Sequence, residues 1–146
     1  MNDANVNIIE LREELRSSYA RILDLYMQSC KLYESLKKQS NEEEIKKYYQ
    51  QFEIYFFDES GKLNWHFIKK LMPSNFEQRI KKEYKMLSEK EVRLCCLLFF
   101  DVSVKNIAKA LPYTYRSIHS VTYNIKQKTG MRDFRSELSS FLLRTF

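Results

Sequence analysis

The sequence predicts an all-α fold, and three observations carry that prediction. Its 146 residues include only two glycines (Gly61, Gly130) and two prolines (Pro73, Pro112). That is too few turn formers for a many-stranded sheet, and it favours few, long elements. Apolar residues recur at helical spacing in segment after segment. Ten Tyr and ten Phe supply enough apolar surface to bury a core and argue against disorder. The length suits one domain, or one domain with a helical extension. Three segments are expected: a long coiled-coil-like helix over 1–40, a helical connector over 41–86 and a four-helix domain over 87–146.

Residues 5 to about 39 read as one helix. The heptad positions 8, 11, 15, 18, 22, 25, 29, 32, 36 and 39 hold Ile, Leu, Leu, Ser, Ile, Leu, Ser, Leu, Leu and Gln. Seven of these ten are aliphatic and charged residues fill much of the remainder, the pattern of a coiled-coil seam. Ile8, Leu11, Leu15, Ile22, Leu25, Leu32 and Leu36 are therefore candidate dimerisation residues. A second stripe (Tyr19, Leu23, Tyr26, Cys30, Tyr33) widens the apolar face beyond what a two-stranded seam needs. It is expected to pack either on C-terminal parts of the same chain or on a partner chain.

Three later helix starts carry the spacing of a capping box: Ser40 with Glu43, Ser74 with Glu77 and Ser88 with Glu91. In that motif a serine hydroxyl and a glutamate carboxylate satisfy free backbone N–H groups. The first opens a helix from about Asn41 to Phe57, ended by the turn DESGK at Gly61. Leu63 to Met72 is a shorter helical segment stopped by Pro73. Ser74 to Lys85 follows, with Phe76, Ile80 and Tyr84 on one face. His66, alone between Trp65 and Phe67, reads as a packed side chain rather than a ligand.

From Leu87 onward the pattern becomes more specific. One helix runs from the Ser88 cap to about Phe100 and a second from about Val104 to Ala110, stopped by Pro112. A third begins at the N-cap Thr114 and ends at the C-cap Gly130. A fourth runs from about Arg132 to the end. Two helices joined by a short turn, with small Ala108 where they approach, fit a helix-turn-helix. On the third helix, Ile118, Thr122, Ile125 and Thr129 share one side, flanked by Val121, and face the core. Arg116, Ser120, Tyr123 and Gln127 share the other, flanked by His119 and Lys126 on one edge and Asn124 on the other. No Asp or Glu lies between Asp101 and Asp133, whereas Lys105, Lys109, Arg116, Lys126, Lys128 and Arg132 do. Residues 1–86 carry 15 Lys/Arg against 14 Asp/Glu, and residues 87–146 carry 10 against 5. A one-signed field on one part of the chain points to a polyanionic partner, with a solvated basic face as the alternative. A carboxylate-free polar surface is what a helix lying in a DNA groove needs.

These residues resemble the LuxR/GerE-type helix-turn-helix family over about the last 60 residues. That family opens with Leu-Thr/Ser-x-x-Glu, matched by Leu87, Ser88 and Glu91. Its second helix carries Ile-Ala-x-x-Leu, matched by Ile107, Ala108 and Leu111. Thr114 stands at the turn serine, Ser117–Ile118 where Thr-Val is usual, and Asn124, Ile125, Lys128 and Gly130 where the family has the same residues. Asp101 for the usual glycine, Val121 for histidine, Thr129 for leucine and Pro112 in the turn mark a divergent pattern; Asp101 leaves the first turn's geometry open. The resemblance implies base contacts from His119, Ser120 and Tyr123, joined on the same face by Arg116 and Gln127. It implies phosphate contacts from Lys105, Asn106, Thr114, Ser117 and Lys128, with Asn124 and Lys126 alongside. For Lys105 and Lys109 a solvated surface role stays open, as does packing for Tyr123. The fourth helix commonly dimerises in this family, so Leu138, Phe141 and Leu142 are further candidates for dimerisation or for core cover.

The expected function is a DNA-binding transcription regulator reading the major groove of double-stranded DNA as a homodimer. The alternative is a helical adaptor that keeps the fold without DNA binding. An enzyme is not expected, because no nucleophile–base constellation, paired carboxylate site or phosphate-binding glycine loop is present. Cys30, Cys95 and Cys96 have no metal-site spacing, so no metal or cofactor is expected, and Cys95 and Cys96 read as small core residues. No signal peptide or membrane span is visible, which suggests a cytoplasmic chain. With no sensory input domain in view, an upstream sensor or helical-repeat region of a longer regulator is expected.

Overall fold

The first helix, α1 (Asp3–Gln39), carries two apolar stripes, and the fold follows from which one is covered. The computed structural model describes residues 3–39 and 42–142. The second stripe is buried: Leu23, Tyr26, Cys30 and Tyr33 are 0–7% exposed and Tyr19 is half-buried. The chain's own later segments cover it. Tyr26 stacks on Phe67 at 5.4 Å, Tyr33 meets Phe56 at 5.0 Å and Tyr19 meets Phe100 at 5.8 Å. The phenol of Tyr26 donates to the Tyr55 carbonyl at 3.1 Å, so the buried polar tip is satisfied. The heptad stripe faces away: Ile8, Leu11, Ile22, Leu25, Leu32 and Leu36 are 41–62% exposed and Leu15 is half-buried.

The chain continues through α2 (Glu43–Phe56), α3 (Trp65–Leu71), α4 (Phe76–Glu83), α5 (Glu89–Phe99), α6 (Val104–Ala110), α7 (Tyr115–Thr129) and α8 (Phe134–Glu137). A 3-10 turn over Ser139–Phe141 follows. Among the described residues there is no strand beyond one antiparallel bridge, Phe57 to Leu63, so the fold is all-α. One apolar cluster runs through all three expected segments. Leu23 of α1, Ile68 of α3 and Phe76 of α4 share it with Phe99, Ile107, Ile118 and Ile125. The middle segment is thus part of the core rather than a connector. It also closes α6: the Leu63 N–H donates to the Lys109 carbonyl and the Lys62 ammonium to the Ala108 carbonyl, each at 3.0 Å, satisfying orphan carbonyls at a helix end.

The Ser88–Glu91 capping box forms, and the Ser74–Glu77 box does not. Ser40 lies outside the described residues, and α2 opens from Glu42 without a side-chain cap. Helix α4 opens from Asn75 (φ 62°), again without a side-chain cap. Glu77 instead turns inward, accepting from Trp65 Nε1 at 3.0 Å and Arg93 Nε at 3.1 Å. A buried indole N–H needs an acceptor, and that demand outranks the local cap. His66, expected to be packed, is exposed; its neighbour Trp65 takes the buried position.

The expected fourth helix is the largest departure. It breaks into α8 and the 3-10 turn, and its stripe turns inward. Leu138 is 0% and Leu142 7% exposed, and Phe141 is half-buried against the cluster. Of the two roles left open for these three residues, core cover is the one they fill, so they do not form a free dimerisation surface. Residues 143–146, the end of the expected fourth helix, lie outside the described residues.

Asp101 keeps the turn between α5 and α6 in a left-handed conformation, φ 59°, which Asp tolerates better than most non-glycine residues. Its Oδ2 accepts from Arg16 Nη1 and Arg135 Nη2, both at 2.7 Å. Arg16, 3% exposed, also donates to the Phe99 carbonyl at 3.3 Å and to Glu13. The turn between α5 and α6 is therefore held in place, and Asp101 ties it to α1 and α8.

Candidate nucleic-acid interface

Helices α6 and α7 are each fixed by local chemistry before they pack. Ser103 caps α6 by accepting from the Asn106 N–H at 3.3 Å. Thr114 caps α7: its Oγ1 accepts from the Ser117 N–H at 3.1 Å, and Ser117 Oγ accepts from the Thr114 N–H at 3.0 Å. This is a capping box with serine in the usual glutamate place. Gly130 ends α7 at φ 75°, the left-handed cap that glycine supplies without strain.

On α7, Ile118 and Ile125 are buried at 1% and 0% exposure. Thr122 and Thr129 flank them half-buried, their hydroxyls donating to the Ile118 and Ile125 carbonyls at 2.7 and 2.8 Å. With the core side fixed, turning about 100° per residue places Arg116, His119, Ser120, Tyr123, Asn124 and Gln127 on the outer side. All six are exposed, and the Tyr123 ring, 63% exposed, is not a packing residue. Among these side chains there is no carboxylate, and the helix contributes none elsewhere. The N-terminal end of α7 adds the positive end of its dipole to the same side of the field.

The expected phosphate set divides. Lys105 and Thr114 are exposed, and Asn106 and Ser117 are half-buried. Lys126 lies back against α8, its ammonium 5.4 Å from the centre of the Phe134 ring. Lys128 is engaged with Glu91, 3.1 Å from both carboxylate oxygens. That contact joins the end of α7 to the cap of α5. Burial raises the Glu91 pKa, but the Ser88 N–H and the Lys128 ammonium outweigh it and hold the carboxyl below its usual 4.5. Lys128 thus pairs with Glu91, an acid that borders the face beside Asn124 and Gln127. Tyr115, 60% exposed at the first position of α7, was not singled out from the sequence. Its spacing of four and eight residues to His119 and Tyr123 is the signal that finds it.

Among the described residues no group of His, Cys, Asp or Glu could hold a metal ion. None of their helices is long and apolar enough to cross a membrane. The three cysteines are buried thiols; burial pushes Cys30 up to about 11 and Cys95 up to about 12, so neither is a nucleophile at neutral pH. Compared with protein-family models, curated proteins and solved structures, the chain matches none.

Proposed function

We propose that this chain binds double-stranded DNA through α7, as the output part of a transcription regulator similar to the LuxR/GerE type. One observation carries the reading: six polar or aromatic side chains without a carboxylate occupy the outer face of α7, while its inner face is anchored by buried Ile118 and Ile125. His119, Ser120 and Tyr123, with Arg116 and Gln127 on the same face, suit contacts to base edges, and Asn124 lies alongside. Lys105, with Thr114 and Ser117 at the head of α7, suits the phosphate backbone. A second reading, a protein adaptor, draws on the exposed rings of Tyr115 and Tyr123, since aromatics are enriched at protein interfaces.

The test is selection of bound duplexes from a random pool, at two salt concentrations, with the wild type, Lys105→Ala, Arg116→Ala and His119→Ala. Arg116→Ala and His119→Ala are expected to cost about 1–3 kcal/mol on the selected site and to relax preference there. Lys105→Ala is expected to weaken all duplexes alike and to lower the salt slope by about 1. An unenriched pool together with salt-independent binding would remove the DNA reading and leave the adaptor.

A further inference from the structure

We infer that the exposed stripe of α1 is the interface with a second copy of this chain, and that the two α1 helices run parallel. In heptad terms Ile8, Leu15, Ile22 and Leu36 are a positions and Leu11, Leu25 and Leu32 are d positions. Ile8 and Ile22 at a with Leu at d suit a two-stranded pair, and Ser18 and Ser29 interrupt the seam. From Ile8 to Leu36 the stripe runs ~42 Å along the helix. At a helix width of ~10 Å that projects ~400 Å² of largely apolar surface, a large patch for a monomer to leave in water.

The direction follows from where the rest of the chain sits. The body packs on the e and b positions of α1, from Arg16 to Tyr33. In an antiparallel pair e faces e, so both bodies lie on the same side of the helix pair. Pairing the whole stripe that way sets Leu11 against Leu36, Leu15 against Leu32 and Ile22 against Leu25, with its centre between Leu23 and Asp24. The footprint of the body is centred at nearly the same place, so the two bodies are brought side by side at one level. Parting them by sliding one helix along the other leaves part of the stripe unpaired. In a parallel pair e faces g, and the bodies fall on opposite sides. The e-position tyrosines Tyr26 and Tyr33 stay covered by their own body, so they present no charge to the g positions of the second copy.

The test uses the full chain and no DNA, so it stands or falls separately from the DNA-binding proposal. Sedimentation at about 50 μM is expected to give a dimer, and Leu25→Glu with Leu32→Glu a helical monomer. Because Cys30, Cys95 and Cys96 are buried, an added thiol reports its own neighbours. Leu11→Cys and Leu36→Cys are each expected to oxidise to a homotypic cross-linked dimer. Cross-linking only when the two variants are mixed would show an antiparallel pair and overturn the inference. So would a monomeric wild type, or a dimer that survives the double glutamate change.

Discussion

Asp101 shows how one residue can serve backbone and side chain together. Its left-handed φ of 59° suits Asp or Asn, whereas Ala there is strained by about 1–2 kcal/mol. Its carboxylate is shared by Arg16 and Arg135. Asp101→Asn is therefore expected to lose the ion pairs and keep the turn, and Asp101→Ala to lose both; thermal melts should rank wild type above Asn above Ala. Burial raises the Asp101 pKa, but the Arg16 hydrogen bond and the charges of Arg16 and Arg135 hold it below 3.8. A lowered pKa stabilises the fold above the unfolded value and loses that contribution as pH falls through the folded one. The melting difference between wild type and Asp101→Asn should thus shrink as pH falls below about 3.8. Glu77, 9% exposed, is a starker case. Glu77→Ala leaves the Trp65 N–H without its acceptor and is expected to cost about 1.5–3 kcal/mol by urea unfolding. The departure at Asp101 was legible in the sequence; its partner Arg16 was not, since 85 residues separate them.

Helix ends show where local sequence rules hold and where tertiary structure overrides them. Ser88 and Thr114 became caps because nothing else competes for their hydroxyls. Glu77, with the same spacing to Ser74, was drawn to Trp65 instead, and no sequence pattern announces a partner on another helix. The outer face of α7 was readable for the opposite reason, since it depends only on helical period and on two isoleucines having to be buried. What periodicity could not supply was the engagement of Lys128 by Glu91, which couples the end of α7 to the start of α5. Glu91→Ala is expected to cost about 1 kcal/mol through loss of the cap. Lys128→Ala is expected to cost less than about 1 kcal/mol, because the lysine end of the pair is half-exposed. A double-mutant cycle of these two by thermal unfolding should give a coupling at pH 7 that fades below about 4.5, as Glu91 protonates. Equal coupling at both pH values would show that the contact is packing rather than charge.

At the scale of the whole molecule, the helical composition pointed to the fold class, while the division into segments said nothing of how the core is shared. Stripes at i, i+4 and i+8 reveal that a helix has an inner face, but not which other helix that face meets. Hence 41–86 read as a connector, although Ile68, Phe76 and Ile80 lie in the same cluster as Ile107, Ile118 and Ile125. The consequence is measurable. Phe76 lies 5.4 Å from the Phe99 ring and 5.2 Å from Phe100, and Tyr19 covers Phe100 from α1. A fragment of residues 87–146 would bare Phe99 and Phe100 and leave Asp101 without Arg16. Each large apolar side chain returned to water costs about 1.5–3 kcal/mol, against a total stability of about 5–15 kcal/mol for a domain. The full chain should therefore unfold in urea as a single transition by circular dichroism and tryptophan fluorescence alike, since Trp65 belongs to the shared core. The fragment should show no cooperative transition at all. A fragment that unfolds cooperatively at the midpoint of the full chain would mean that α7 is held by its nearest helices alone, and that α1, α3 and α4 only rest against them.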